Sequence, residues 1–198
     1  IFLHERLTRS SVAFVVAASN THVLYTDSDG TDTGLYLSGH ASPLVTYATS
    51  QPFPHNAVMT QNERVAFYTP DDPADHSVQN ASVGYFRDGY NGGAAKLIAT
   101  AGVGQEVHDG SDTFTISQLV PYGTTSNPMV NDLGTVVFEA NLTTATSTTL
   151  QALLVWQEQS GVLSVAVKTA DENGDFGDTY KGQKILGLAP DLSTDFAG

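Results

Sequence analysis

The chain has 198 residues, 40% of them hydrophobic, with 21 Asp and Glu against eight Lys and Arg, a formal net charge of −13. That acidity repels nucleic-acid phosphates and anionic lipids, and the longest apolar run, Val12 to Ala18, is too short to span a bilayer, so neither nucleic-acid binding nor membrane insertion by these residues is expected. There is no cysteine, which removes disulfides, thiolate zinc sites, covalently attached haem and cysteine nucleophiles together.

Taken in order, Phe2-Leu3-His4 and Arg6-Leu7-Thr8 lead into Val12-Ala13-Phe14, a short apolar run that ends in Phe. Phe53-Pro54-His55 and Val58-Met59-Thr60 lead likewise into Asn62-Glu63-Arg64-Val65-Ala66-Phe67. Asn127-Pro128-Met129-Val130 leads into the fullest copy, Asn131-Asp132-Leu133-Gly134-Thr135-Val136-Val137-Phe138. In that copy Asn and Gly supply a tight turn, and the Val/Phe run after it reads as a strand with both faces mostly buried. Each copy is followed by a loop and a hairpin with alternating apolar arms: 34–37 with 44–48, 83–86 with 97–100, and 152–156 with 162–169. The connector 102–126 has an echo after the third hairpin, where Asp112-Thr113-Phe114 is answered by Asp178-Thr179-Tyr180.

No stretch has helical periodicity with caps, so the fold is read as all-β. It is predicted to comprise about three tandem four-stranded antiparallel units, each shaped like a propeller blade. The units span 1–52, 53–126 with the long connector, and 127–175, with 176–198 leading toward a further repeat or a partner. Three blades do not close the usual ring of about four to eight. The chain is therefore expected to belong to a longer array, to be completed by copies of itself, or to pack as a sandwich. Open strand edges at its two ends invite self-association, and head-to-tail contacts that do not close build a filament.

At Asn131, Gly134 and Phe138 the chain resembles the tandem Asn-x-x-Gly-x-x-x-Phe repeat proteins of bacterial surfaces, which look propeller-like. Asn62 and Phe67 keep part of the pattern, with Arg64 or Glu63 where Gly is expected; the first copy keeps only Phe14. Val165 to Asp171 also resembles the end of such a repeat. The resemblance implies an extracellular repeat scaffold and carries over no catalytic residue.

Candidate chemistry is sparse. Asp171-Glu172-Asn173-Gly174-Asp175 places oxygens of Asp171, Asn173 and Asp175 at the alternate positions a tight loop uses around Ca²⁺. Asp27, Asp29 and Asp32 form a second Asp-rich loop of that kind, and a solvated β-turn uses the same residues. Calcium is the one cofactor these loops suggest. Histidines 4, 22, 40, 55, 76 and 108 are scattered singly, without zinc-protease spacing. There is no Gly-x-Ser-x-Gly elbow and no phosphate-binding loop. Asn80-Ala81-Ser82 and Asn141-Leu142-Thr143 are glycosylation sequons placed in predicted loops, so glycans on Asn80 and Asn141 are a candidate modification. The reading is a non-enzymatic extracellular structural or surface repeat protein. Its alternatives are a carbohydrate- or calcium-binding module and a fragment of a propeller hydrolase.

Overall fold

The computed structural model describes residues 14–28, 32–48, 57–69, 81–119 and 127–188. The lead-ins at Phe2 to Thr8 and Phe53 to His55 lie outside them, as does the segment toward a fourth repeat beyond 188. Strand is the dominant regular structure of the described residues, and no α-helix is among them. Three antiparallel sheets account for most of them.

The first sheet is a meander of β1 (Phe14–Ala18), β2 (Val23–Ser28), β3 (Asp32–Leu37) and β4 (Val45–Ala48). The second repeats it with β5 (Ala57–Met59), β6 (Val65–Thr69), β7 (Ser82–Phe86) and β8 (Lys96–Thr100). The third holds β11 (Met129–Val130), β12 (Thr135–Thr143), β13 (Thr149–Gln157) and β14 (Leu163–Lys168) in the same order. These are the blade-like units expected from the repeat.

The third sheet grows beyond four strands. The connector 102–126, grouped by its sequence with the second unit, supplies the hairpin β9 (Glu106–Asp109) and β10 (Asp112–Leu119). Along one edge of β12, β11 pairs with Val136 and Val137, while β10 pairs with the far half, from Ala140 to Thr143. The sheet then curls until β9 comes against β14, giving a nearly closed barrel. A small ribbon of β15 (Thr179–Tyr180) and β16 (Gln183–Lys184) follows.

Period-two alternation makes each sheet two-faced, and the second sheet is buried on both faces. Val65, Phe67 and Phe86 point back to Leu24, Leu35 and Leu37 of the first sheet. Ala66, Tyr68, Val83 and Tyr85 point forward to Val136, Phe138, Leu154 and Trp156 of the third. Gly84 sits opposite Phe67 in the ladder, and a methyl group there would collide with the ring, so the aromatic lies flat over the one residue that makes room for it.

The first repeat has a different register from the one its sequence suggested. Phe14 belongs to β1, the lead-in strand, and the structural counterpart of Phe67 is Tyr25 in β2, a strand the repeat pattern did not mark. Ser19-Asn20-Thr21-His22 is the turn before it. Asn62 is exposed; Thr60 holds the place of Asn131, and Glu63 holds that of Gly134.

This last correspondence belongs to a device used four times among the described residues, at 60–64, 131–135, 144–148 and 171–175. In each loop the first residue donates its N–H to the fifth carbonyl, and the fourth N–H returns to the first carbonyl. The side-chain oxygen of Thr60, Asn131, Thr144 or Asp171 accepts the fifth N–H, at 3.3, 2.9, 3.1 and 2.6 Å. The fourth residue is left-handed each time: Glu63 (φ 62), Gly134 (φ 78), Ser147 (φ 66) and Gly174 (φ 81). A turn whose last residue is left-handed, closed by an Asx or hydroxyl oxygen, matches the twist of the flanking strands.

Candidate functional site

Two side-chain clusters sit where sheets meet, and another sits where the third sheet closes on itself. At the first junction Glu63, at the tip of the β5–β6 turn, reaches back to the β1–β2 turn. Its Oε1 receives hydrogen bonds from Ser19 Oγ at 3.3 Å and from Thr21 Oγ1, and lies 2.5 Å from His22 Nδ1. Burial pushes the Glu63 carboxyl up, but donation from Thr21 and His22 outweighs it and holds the group below its usual value.

At the second junction the acid comes from the β13–β14 turn. Glu158 Oε2 accepts from Tyr85 OH at 2.5 Å and from Arg64 Nε at 3.4 Å, and Oε1 pairs with Arg87 at 2.8 Å. Gly134 lies under it, where a methyl group would meet the carboxylate. Burial first, then the neighbouring Glu158, pushes the Tyr85 phenol up. Tyr90 and Trp156 pack around Tyr85 with ring centroids 5.7 and 4.8 Å away, and Lys96 stands 5.5 Å above Trp156. Three of the eight basic residues converge here, each against an aromatic ring or the one carboxylate. Trp156 and Tyr85 are buried, so their rings bind the sheets together and offer no platform to a sugar.

The third cluster is at the mouth of the barrel. Lys168 closes β14 with its side chain buried, and its ammonium pairs with Asp109 of β9 and, at 3.4 Å, with Asp178. Burial pushes the ammonium down, yet the two carboxylates outweigh it and hold Lys168 above its ordinary value.

The residues singled out from the sequence are dispersed rather than gathered. Asp171 Oδ1 accepts the N–H groups of Asn173 and Asp175, so this carboxylate organises its own loop and is the structural twin of Asn131. Asp175 is exposed. Asp27 lies in β2 and Asp32 in β3, on facing strands; Asp29 and the Asp32 side chain lie outside the described residues. Among the described residues no three His, Cys, Asp or Glu side chains are arranged to hold a metal ion. Asn141 is inside β12, not in a loop, with β10 on one side and β13 on the other, and its Nδ2 donates to Gln118 at 2.8 Å. Asn80 and His4, His55 and His76 lie outside the described residues. His40 packs edge-on to Phe86, and His108 meets Thr113. No described helix is long and apolar enough to cross a membrane.

The sequence reading missed Glu63, Glu158 and Lys168. Their neighbours are 41 to 94 residues away along the chain for the first two, and 59 for Lys168 with Asp109, so no local spacing marks them. The faint signal was a Glu standing where the turn pattern asks for Gly.

The chain belongs to a family described as a family of unknown function (DUF7453), matched over residues 8–198. Comparison with curated proteins and with solved structures yields no match.

Proposed function

We propose that this protein is a non-enzymatic, extracellular or cell-surface repeat scaffold whose blades extend head to tail, through further blades or further copies. The observation that carries the reading is the polarity of the faces. Aligned by their turns, Tyr25, Phe67 and Phe138 occupy one backward-pointing position, and Leu24, Ala66 and Val137 the forward one. Both internal junctions pair a forward face with a backward one. By that rule the first sheet keeps a backward face that carries Val15 and Tyr25. The third keeps a forward face of Val137, Leu153 and Val155. Val15, Tyr25, Val137, Leu153 and Val155 belong to neither core cluster of the described residues.

Glu139, on the same side of β12, is covered by the chain itself at 3% exposure, and its Oε2 has no hydrogen-bond partner among the described residues. Faces unmatched among the described residues, at the two ends of a directional stack, favour open-ended association over a closed dimer. Light scattering across a concentration series, with negative-stain imaging, tests this. Growing linear particles that are lost in Tyr25→Asp and Val155→Asp are the expected result. A monodisperse monomer at every concentration, unaffected by either change, overturns it.

A further inference from the structure

The barrel of the third sheet is closed by side chains where its backbone ladder is left open. Lys168 ends β14, Asp109 ends β9, and these are the two edge strands that meet when the sheet curls. The Lys168 side chain is 6% exposed, whereas those of Asp109 and Asp178 are 34% and 39% exposed. Asp178 is fixed beside it by the backbone: its Oδ2 accepts the Lys168 N–H at 2.9 Å, and its own N–H donates to the Lys168 carbonyl at 3.1 Å. Phe114 lies 5.9 Å from the ammonium, and Phe176 packs edge-on against Phe114. A primary amine held against one carboxyl, with a second carboxyl in reach and the Phe114 ring beside it, is the equipment for an amide condensation.

We propose that Lys168 Nζ and Asp109 Cγ join in an intramolecular isopeptide bond that locks the barrel shut. The ammonium first passes a proton to the Asp109 carboxylate inside the pair, leaving an amine and a carboxylic acid. The amine attacks Cγ; the Asp178 carboxylate takes the second proton from nitrogen and hands it to the departing hydroxyl. The Nζ–Cγ bond forms, a Cγ–O bond breaks, one water leaves, and Asp178 ends as it began. No oxidant, metal or cofactor is consumed. Burial works against the charge on Lys168, and the two carboxylates work for it. The ion pair remains the more populated state, so the condensation is a slow, single maturation event. The part-exposed carboxylates give the released water a way out. In a chain without cysteine this bond ties residues 59 positions apart and performs the loop-closing role a disulfide performs elsewhere.

Intact-mass measurement of the folded protein after prolonged incubation at neutral pH decides the matter. The expected mass is one water below that of the sequence, with a proteolytic fragment linking the Lys168 and Asp109 peptides. Lys168→Arg keeps the ion pair but lacks an amine able to condense, and is expected at full sequence mass. Asp109→Asn is expected to lose one ammonia in place of water, and Asp178→Asn to slow the loss at least tenfold. Wild-type protein that is folded by circular dichroism yet remains at full sequence mass overturns the proposal. So does an equal mass loss in Lys168→Arg.

Discussion

The two blade junctions solve the same problem with different materials. The first is aliphatic, with Leu24, Leu35 and Leu37 against Phe67 and Phe86, and its rim is a carboxylate held by hydroxyls and an imidazole. The second is larger and aromatic, with Tyr85, Phe138 and Trp156, and its rim is a carboxylate held by two guanidinium groups and a phenol. In both, one glutamate on a hairpin tip of the later blade reaches back to the earlier one. The apolar face supplies most of the free energy, and the acid fixes how the sheets are aligned, because a half-buried carboxylate favours the geometry that satisfies it.

Removing the centre of each junction should break the comparison most visibly. Trp156→Ala is expected to cost about 3–5 kcal/mol, and Leu35→Ala about 2–5 kcal/mol with a smaller central value, read by denaturant titration. The reverse order would show that the aliphatic junction is the stronger.

Next in size are the rims. Glu158→Gln leaves two arginines without their anion and is expected to cost about 1–3 kcal/mol, more than Glu63→Gln. The Glu63 carboxyl is held below its ordinary value in the folded protein, so its stabilisation is present above about pH 4.5 and is lost as the pH falls through the lower folded value. Acid titration of wild type against Glu63→Gln, followed by thermal melting, should show curves that converge below that range. Curves that stay parallel would mean that the acid does not secure the first junction.

Gly84→Ala tests the close approach under Phe67 and is expected to cost about 1–3 kcal/mol by displacing the ring, most of it from the first junction. The smallest effect has the opposite sign. Burial holds the Glu139 carboxyl above its usual value, so folding is favoured by its protonated form below about pH 4.5 and opposed as the pH rises through the folded value. Glu139→Gln is accordingly expected to raise the melting temperature by a few degrees at neutral pH and by nothing in acid. A lowered melting temperature at neutral pH would mean that the carboxylate has a partner worth keeping.

Much of the blade architecture was legible because strand alternation and turn residues are local. The hairpins β3–β4, β7–β8 and β13–β14 fall where apolar arms flank Gly- and Ser-rich tips, and Asn131-x-x-Gly134 names its own turn. What misled was identity taken for role. Asn62 resembles Asn131 in type but is exposed, while Thr60 supplies the equivalent oxygen two residues earlier. Phe14 resembles Phe67, yet Tyr25 stands in its place. Asp171 closes its own loop with the same oxygen that a cation-binding Asx residue would use, so residue type alone does not separate the two roles.

Period-two patterning, the Asn131 to Gly134 turn and the lack of helical periodicity are properties of neighbouring residues, and they were enough to point to an all-β chain of repeated antiparallel units. The curling of the third sheet, the recruitment of the 102–126 connector into it, and the meeting of Glu63, Glu158 and Lys168 with their partners were settled only when the sheets packed. Those contacts join residues tens of positions apart, and the energy that selects them is side-chain burial between faces, which no local spacing encodes.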